Sequence, residues 1–386
     1  MNKEKLSNIA QLNMGQSPGS EFVNETGDGI PFLQGNAEFG ETIPEYHLYC
    51  KRPNKICQAG DILISVRAPV GALNKAPIEF CIGRGLAAIT FTDVLPEYGW
   101  HALNLQASDL RRVAQGSTFD AVNSEELARL IIPVPENPTE QALIADILDT
   151  LDDAIHQTQQ LIDKLKNVRA GLLHDLLTYG IDEHGDLRDP VRHPEQFKES
   201  ELGMIPKDWE VCQLVQVATI SSGSTPRRTE PKYWDNGTIA WVKTGEVNYR
   251  TVLTTEEQIT ELAVTHYRLS IFEPQTILLA MYGQGNTRGR VAMLGIPATT
   301  NQACAAIVSN SDIVDYGYLY HYLTFHYTAI RNLSHGSNQS NLSEKLVGSF
   351  KLRVPEIKEQ RYITDALTAS LDMQLAEEQT LIKLKK

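Results

Sequence analysis

The stretch GSTPRRTEPKYWDNGTIAWVKTGE, from Gly223 to Glu246, restates a stretch found much earlier in the same chain. The earlier version is GQSPGSEFVNETGDGIPFLQGN, from Gly15 to Asn36. Both open on Gly-x-x-Pro, and both run into a short apolar segment that ends in a second polar turn. A chain that repeats itself over this distance is predicted to contain two copies of one module.

Matching segments follow in the same order along the two halves, and together they cover nearly the whole chain. The pairs are LSNIAQLNMGQSP (6–18) with LVQVATISSGSTP (214–226), IPFLQGN (30–36) with IAWVKTGE (239–246), GDILISV (60–66) with QTILLAM (275–281), GRGLAAIT (83–90) with NQACAAIV (301–308), GSTFDAVNSEEL (116–127) with GSNQSNLSEKL (336–346), and IPVPENPTEQALIADIL (132–148) with LRVPEIKEQRYITDAL (352–367).

Each module is predicted to be an α+β globule of mostly short strands. DILISV, LAAITF, TILLAM and CAAIVS are rich in aliphatic and β-branched residues and lie between glycines or prolines, as is typical of strands. A helical segment closes each module, at residues 98–114 in the first and 316–333 in the second. A module of about 140 to 150 residues has an ordinary domain size.

A long helix follows each module. The first is predicted from about Thr139 to Thr178, with a heptad pattern broken only at Thr158 and Arg169. The second begins near Glu359 and runs to the end of the sequence. Neither apolar stripe can be buried alone, so we expect the two helices to form an antiparallel coiled coil related by a pseudo-twofold axis. The stripe residues are Ile144, Leu148, Leu151, Ile155, Ile162, Leu165, Leu172 and Leu176, then Ile363, Leu367, Leu371 and Leu375.

These patterns divide the chain into five segments. Residues 1–138 and 206–357 are the two modules, 139–179 and 358–386 are the two helices, and 180–205 is a polar, proline-containing linker.

Composition limits the class of protein. The sequence has 386 residues and a formal net charge of −13, which on its own argues against a free-standing nucleic-acid binder. Part of the negative charge comes from acidic residues in the first long helix. These residues form either a solvated surface or a face that binds a basic partner protein. No apolar run approaches the ~20 residues of a membrane span. The five cysteines are scattered, and the N-terminus lacks an apolar signal region, so we expect a cytoplasmic chain with reduced thiols.

The sequence contains no recognisable catalytic motif. It lacks the G-x-x-x-x-G-K-[ST] phosphate loop and the G-x-S-x-G elbow. GQGNTRG (283–289) leads into a predicted strand, whereas a dinucleotide-binding loop opens a helix. There is no Asn/Asp-Pro-Pro-aromatic segment and no nuclease-like acidic cluster. His321 and His326 are five residues apart, a spacing that favours packing over metal binding, and we expect no metal site.

The polar loops carry side chains that suit base recognition. Arg pairs with guanine, Asn and Gln pair with adenine, and Ser or Thr can pair with either. Their concentration at matching places in both modules predicts recognition. The candidate DNA-binding residues are Gln16, Ser17, Gln34, Asn36, Arg67, Arg84, Gln115, Ser117 and Thr118 in the first module, and Ser224, Thr225, Arg227, Arg228, Lys243, Thr244, Tyr282, Gln284, Asn286, Arg288, Arg290, Asn301, Gln302, Ser337, Asn338 and Gln339 in the second.

These features together resemble the specificity subunits of type I restriction–modification systems. The resemblance rests on the GQSP and GSTP openings, the paired GST and GSN loops, and the IPVPENPTEQ entry to a long helix. The segments GLLHDLLTYGIDEHGDLRD (171–189) and FKESELGMIPKDWEV (197–211) are the most family-like of all.

The resemblance implies two target recognition domains, each reading one half of a split, asymmetric double-stranded DNA target. The helices would act as a ruler and bind two modification subunits, which use S-adenosylmethionine to methylate adenine N6. Two restriction subunits would use ATP and Mg²⁺ to translocate and cut DNA. The chain itself would be non-catalytic and bind no cofactor.

Two features depart from the family pattern. The second long helix ends without the GLLHDLLT-like tail of the first. GRG (83–85) replaces the Asn301–Gln302 pair, so we expect contacts made by that pair to have no counterpart in the first module. Two alternatives stay open on the sequence alone: a self-contained methyltransferase or nuclease of the fused type, and a coiled-coil scaffold that binds no DNA.

Overall fold

The computed structural model describes residues 1–115, 121–283, 285–334 and 341–386. Residue contacts divide the chain into two compact units, Met1–His156 and Gln157–Lys386. The division falls inside one long helix, so each unit keeps a part of that helix.

The first unit is an α+β structure with three sheets. Its strands pair in the orders β1-β11, β2-β10-β7-β8 and β3-β5-β4-β9-β6. The strands are β1 (Asn2–Lys5), β2 (Ala10–Met14), β3 (Val23–Asn24), β4 (Ile30–Leu33), β5 (Leu48–Cys50), β6 (Ile56–Cys57), β7 (Ile62–Ser65), β8 (Leu73–Lys75), β9 (Phe80–Ile82), β10 (Leu86–Phe91) and β11 (Ile131–Val134). The helices are α1 (Leu6–Ile9), α2 (Pro96–Gln115), α3 (Ser124–Ala128) and the long α4 (Pro138–Thr178).

The second unit repeats this plan after a short hairpin, β12-β13. Its other sheets have the orders β14-β23, β15-β22-β19-β20-β17 and β18-β16-β21. The strands are β12 (Phe197–Ser200), β13 (Gly203–Pro206), β14 (Glu210–Gln213), β15 (Ala218–Ser222), β16 (Ile239–Val242), β17 (Thr251–Val252), β18 (Glu257–Ile259), β19 (Ile277–Ala280), β20 (Val291–Leu294), β21 (Ala298–Thr300), β22 (Cys304–Ser309) and β23 (Lys351–Val354). The helices are α5 (Leu214–Val217), α6 (Glu261–Tyr267), α7 (Tyr316–Phe325), α8 (Tyr327–Asn332), α9 (Glu344–Gly348) and α10 (Ile357–Leu384).

The central strands of each unit are buried on both faces, which explains their continuous apolar sequence. In β7, Ile62 and Ile64 pack into one core while Leu63 packs into another on the opposite face. In β19, Ile277 and Leu279 face one core and Leu278 the other. Because successive side chains of a strand point to opposite faces, a sheet covered on both sides needs apolar residues at every position. The four strands predicted from DILISV, LAAITF, TILLAM and CAAIVS are confirmed.

Backbone details support the sequence alignment of the two copies residue by residue. Gly60 and Gln275, which the repeat aligns, both have positive φ, at 92° and 74°. The aligned Asn123 and Ser343 both cap a short helix, α3 and α9, through their side-chain oxygens. Each copy therefore reuses the same turns as well as the same strands.

A buried glutamine ties the start of each long helix to its module. Gln141 (3% exposed) donates to the carbonyl of Pro135 at 2.9 Å and accepts from the amide of Leu95 at 3.0 Å. Gln360 (0% exposed) donates to the carbonyl of Pro355 at 2.7 Å and accepts from a backbone amide at 2.7 Å. These contacts fix the direction in which each helix leaves its module.

Within the second unit, the end of α4 and helix α10 run antiparallel, as predicted. Lys166 lies 3.8 Å from Glu378, whereas the backbone amide of Ile181 donates to Glu359 at 2.9 Å. From Lys166 in α4 to Ile181 just after its end, residue numbers increase, while the contacted residues of α10 decrease from Glu378 to Glu359. Ile162, Leu176, Ile363 and Leu367 of the predicted stripe are buried, while Leu165, Leu172, Leu371 and Leu375 are half-buried. In the first unit Ile144, Leu148 and Ile155 are half-buried and Leu151 is exposed.

Two elements differ from the sequence prediction. The single helix expected over 316–333 is two helices, α7 and α8, which break at His326. The segment expected to be only a linker contains the hairpin β12-β13. In the part of the chain that the structure describes, no helix is both long enough and apolar enough to cross a membrane.

Candidate nucleic-acid interface

The glycine that opens each Gly-x-x-Pro turn lies against the backbone of a second loop. The N–H of Gly223 donates to Thr300 Oγ1 at 3.1 Å, and that of Gly15 donates to the carbonyl of Leu86 at 2.9 Å. A Cβ added at Gly223 would lie 2.5 Å from the carbonyl carbon of Thr300, and one added at Gly15 would lie 2.9 Å from that of Gly83. Only glycine permits such close backbone approach, so the turn is a shared framework.

Two backbone hydrogen bonds, present in both units, bring further loops to this place. In the first unit, the amide of Val66 donates to Gly85 at 2.9 Å, and the amide of Val122 donates to Val66 at 2.9 Å. The same bonds in the second unit join Met281 to Ala303 at 2.8 Å and Leu342 to Met281 at 3.0 Å. The loops after β7, before β10 and before α3 therefore converge, as do their counterparts after β19, before β22 and before α9.

In the first unit, three candidate residues line a cleft of 480 Å³: Ser17, Gln34 and Arg84. Ser17 Oγ accepts a hydrogen bond from the backbone amide of Arg84 at 3.3 Å. Arg67 is exposed in the loop that follows β7. The cleft therefore gathers side chains from three separate segments of the sequence.

The two other described candidates of the first unit flank this cleft. Gln16 is exposed, and its backbone amide donates to the carbonyl of Ile82 at 2.9 Å. Asn36 is half-buried in a short turn that Glu38 caps by accepting from the amide of Gly35 at 3.1 Å.

The second unit has a cleft of 500 Å³ at the equivalent place. Thr225, Arg228, Lys243, Thr244 and Asn301 line it. In the repeat, Thr225 corresponds to Ser17 and Lys243 to Gln34, so the two clefts occupy matching positions in the two copies.

Hydrogen bonds inside the second cleft hold its polar side chains in place. Thr225 Oγ1 donates to Gln302 Oε1 at 2.6 Å, and Asn301 Nδ2 donates to Thr244 Oγ1 at 3.5 Å. The main chain of Ser224 accepts from the indole of Trp241 at 3.0 Å. The first-unit bond from the backbone amide of Arg84 to Ser17 is the counterpart of the Thr225–Gln302 bond, so for this contact the expectation that Gln302 has no counterpart in the first module is wrong.

Two carboxylates from a neighbouring segment, Glu256 and Glu257, pair with the cations of the second cleft, and a third, Glu246, caps the backbone of the cleft's own turn. Glu257 accepts two hydrogen bonds from Arg228, at 2.7 and 2.8 Å. Glu256 accepts from Lys243 at 2.7 Å, and Glu246 accepts from the backbone amide of Lys243 at 2.8 Å. Pairing with Arg228 lowers the pKa of Glu257, and pairing with Glu256 raises the pKa of Lys243.

Two tryptophans form the floor beneath Arg228. Its guanidinium carbon lies 4.0 Å from the ring centroid of Trp234 and 5.0 Å from that of Trp241. The two rings meet edge to face at 5.2 Å, and Trp241 is 1% exposed. Cation–π contacts of this kind favour Arg over Lys.

The loop after β19 carries the remaining described candidates. Tyr282 and Asn286 are exposed at its surface. Arg288 is half-buried, and its carbonyl accepts from Arg331 at 3.3 Å. The guanidinium of Arg290 lies 5.8 Å from the ring of Tyr249, so Arg290 lies at the base of the loop.

Part of the predicted set lies outside the described residues, namely Ser117, Thr118, Gln284, Ser337, Asn338 and Gln339. Gln115 ends helix α2, and its side chain also lies outside the described part.

His321 packs inside the second unit, as the sequence predicts. It is 1% exposed, and its Nε2 lies 3.0 Å from Thr368 Oγ1. Burial lowers the pKa of His321 to about 4, helped by the positive charge of Arg169. Among the described residues, no group of His, Cys, Asp and Glu has a metal-binding arrangement.

Sequence reasoning missed the acidic and aromatic side of the second cleft. Glu257 is the first residue of β18, and Glu256 directly precedes it. Nothing in their spacing along the sequence indicates a contact with Arg228. Only β18 pairing with β16, which sets Glu257 opposite Trp241, brings them to the cleft. The Trp234–Trp241 pair offered a weak signal, because aromatic residues flank the two arginines in sequence.

Comparison with known proteins identifies the family. The model of the type I restriction modification DNA specificity domain matches residues 1–167 and 206–386. A putative type I restriction enzyme specificity subunit, MjaX of Methanocaldococcus jannaschii, is 38% identical over 167 residues, which are 43% of this chain and 39% of that protein. The MjaIX specificity subunit of the same organism is 25% identical over 80% of this chain and 72% of its own length.

Solved structures agree on the fold. The S subunit of a type I restriction–modification system from M. genitalium is similar over 100% of this chain and 92% of its own, with a TM-score of 0.66 at 18% identity. A chain from a structure describing complex assembly of the type I restriction–modification system has a TM-score of 0.55 at 13% identity, over 100% of this chain and 94% of its own. Together with two family domains that cover most of the sequence, these findings place the chain in the family of type I restriction–modification DNA specificity subunits.

Proposed function

We propose that this chain determines the DNA sequence specificity of a type I restriction–modification complex, with each unit reading one half of a bipartite, asymmetric target. One observation carries the proposal: matching loops converge at equivalent positions in the two units. Glycines and backbone hydrogen bonds keep that framework constant. The side chains displayed on it differ, as two different half-sites require.

The two clefts differ in a way that suits different base contacts. The first displays Ser17, Gln34 and Arg84, and the second displays Thr225, Thr244 and Asn301 among paired charges. Hydrogen bonds to base edges carry sequence information, whereas contacts to phosphate mainly set position. Each unit presses its loops into a major groove, and the two half-sites are read by separate sets of side chains.

The chain acts with partner subunits that carry the chemistry. Two modification subunits bind S-adenosylmethionine and methylate adenine N6, while two restriction subunits use ATP and Mg²⁺ to act on unmodified DNA. The chain binds no cofactor of its own. The half-exposed stripe of the long helices, which includes Leu151, Leu165, Leu371 and Leu375, offers apolar surface to the modification subunits. DNA bending or base extrusion at the bound target then gives them access to the adenine.

The alternatives kept open by the sequence have less support. A fused methyltransferase or nuclease requires a cofactor-binding or nuclease motif, and the sequence contains no recognisable one. A scaffold without DNA contacts gives no reason for matching clefts with different polar side chains.

The test is methylation by the complex reconstituted from this chain and the modification subunits encoded with it. Methylation mapping of a genome exposed to the complex defines the target. A duplex altered at one base pair in one half-site is expected to lose about 1–3 kcal/mol of binding. Exchanging the loop 223–246 for the equivalent loop of a relative should then change preference in one half-site only. A complex that methylates unrelated duplexes equally would refute the proposal.

A further inference from the structure

The two adjacent arginines of the second unit's opening loop occupy different environments. The guanidinium of Arg228 is held by Glu257 and stacked on two tryptophans. Both residues are exposed, but within the described residues the guanidinium of Arg227 has no hydrogen bond or ion pair. Sequence alone treats the two as equivalent.

Arg228 could reach DNA only by giving up its present contacts. Both terminal nitrogens are used in the parallel pair with Glu257, which is the same fork geometry that arginine uses to read guanine. One face of the guanidinium is also covered by the indole of Trp234. Moving Arg228 onto DNA would leave the Glu257 carboxylate unpaired in front of the phosphates, where it would repel them.

The backbone of Arg227 is fixed from both sides. Its N–H donates to the hydroxyl of Tyr267 at 2.9 Å. Its carbonyl accepts from the indole Nε1 of Trp234 at 3.2 Å. The side chain therefore projects from an anchored residue, so little backbone freedom is lost when it makes a contact.

Trp234 connects the two arginines. Its ring carries the Arg228 guanidinium, and its N–H holds the Arg227 carbonyl. A continuous series of contacts thus runs from Glu257 through Arg228 and Trp234 to the backbone of Arg227. Loss of any member loosens the anchor of Arg227.

Resting on the function proposed above, we propose that Arg227 makes this loop's contact with DNA and that Arg228 is a positioning residue acting through Glu257 and Trp234. Among the described residues, the assignment places an arginine without an ion pair, Arg227, beside a cleft whose two lining cations, Arg228 and Lys243, are paired with carboxylates. It also makes Glu257 a determinant of half-site recognition although its charge disfavours DNA.

The experiment uses the reconstituted complex and the target duplex that methylation mapping defines. Binding is measured over a range of salt concentrations. The variants are Arg227→Gln, Arg228→Gln, Glu257→Gln and the double variant of the last two. Arg192→Gln is the control, because it removes an arginine whose side chain is 82% exposed in the linker. Unfolding of each variant is followed in parallel.

Arg227→Gln is expected to weaken target binding by about 5- to 150-fold. It should also reduce the slope of log K against log salt by up to about 1, because it removes one cation from the DNA interface. Glu257→Gln should weaken binding because the anchor of Arg227 loosens, with the wild-type slope retained. Arg228→Gln should weaken binding further, because it also leaves the Glu257 carboxylate unpaired, and the double variant should bind like Glu257→Gln. Arg192→Gln should change neither quantity.

Two results would overturn the assignment. One is an altered salt slope in Arg228→Gln with an unaltered slope in Arg227→Gln. The other is wild-type or tighter binding by Glu257→Gln while both Arg228→Gln and the double variant bind poorly, because the double variant has no unpaired Glu257 and its loss must come from Arg228 itself. If the wild-type complex itself showed no preference for its target, the proposed function would fail instead.

Discussion

Replacement of Gly223 by alanine tests the idea that the Gly-x-x-Pro turn is a framework. The added Cβ would lie 2.5 Å from the carbonyl carbon of Thr300 and 2.8 Å from its hydroxyl oxygen. The carbonyl oxygen of Thr300 lies closer still, and an ordinary contact requires at least 3.4 Å, so one backbone must move by more than about 1 Å. Overpacking of this kind costs about 1–3 kcal/mol.

The displacement should also reach the cleft, because Thr225 follows two residues later and bonds Gln302 at 2.6 Å. Unfolding in urea measures the change in the free energy of unfolding. When it is followed by tryptophan fluorescence, it reports mainly on the second unit, which holds three of the four tryptophans. Methylation of duplexes altered in one half-site measures how well each half-site is still recognised. We expect Gly223→Ala to weaken reading of one half-site, and Gly15→Ala to weaken reading of the other.

Gly245→Ala is the matched control. Gly245 lines the same cleft, yet nothing lies within 4 Å of its added Cβ. Alanine there should be neutral or stabilising by up to about 1 kcal/mol, because the unfolded chain loses freedom. If Gly223→Ala and Gly245→Ala unfold within about 0.5 kcal/mol of each other, the argument from close backbone approach is wrong.

Three further perturbations test the second unit. Glu359→Gln should destabilise it by about 1.5–3 kcal/mol, because buried Arg188 loses a charged partner at 2.6 Å while keeping Asp208 at 2.9 Å; urea unfolding of Arg192→Gln is the control. Gln360→Ala should lower the free energy of unfolding in urea by at least about 2 kcal/mol, because buried backbone carbonyls lose their partner. A loss below about 0.5 kcal/mol would show that Gln360 does not hold the start of α10 to its module. His321 is buried neutral, so stability should fall as pH drops from 6.5 through about 4, by up to about 3 kcal/mol. His321→Gln should flatten that dependence, and an unchanged profile would contradict it.

The sequence predicted those features that local patterns determine. Buried strands such as β7 and β19 follow from apolar runs between turn residues, and the helix α4 follows from its heptads. The turns at Gly15 and Gly223 follow from the repeat itself. The break at His326 was not predictable, because the segment is continuously helical in composition and the aromatic residues packed around it decide the bend.

The environment of the candidate site depended on contacts between distant residues. Glu257 meets Arg228 across 29 positions, and Glu359 meets Arg188 across 171. Nothing in residue type or spacing indicates such pairs, since exposed carboxylates are common everywhere in this acidic chain. For this reason the sequence placed Arg227 and Arg228 in one class, whereas their surroundings separate them.

In the proposed function, carboxylates inside the second cleft have a physical rationale in terms of selectivity. Attraction between cations and phosphates is independent of sequence and supplies most non-specific binding. When Glu256 and Glu257 neutralise Lys243 and Arg228, they lower affinity for every DNA sequence alike, while hydrogen bonds to base edges are kept. The ratio of specific to non-specific binding therefore rises, and that ratio matters more than affinity in a genome with very many competing sites. Because the chain carries a net charge of −13, the proposed function then places discrimination in this chain and most of the general attraction for DNA in the partner subunits.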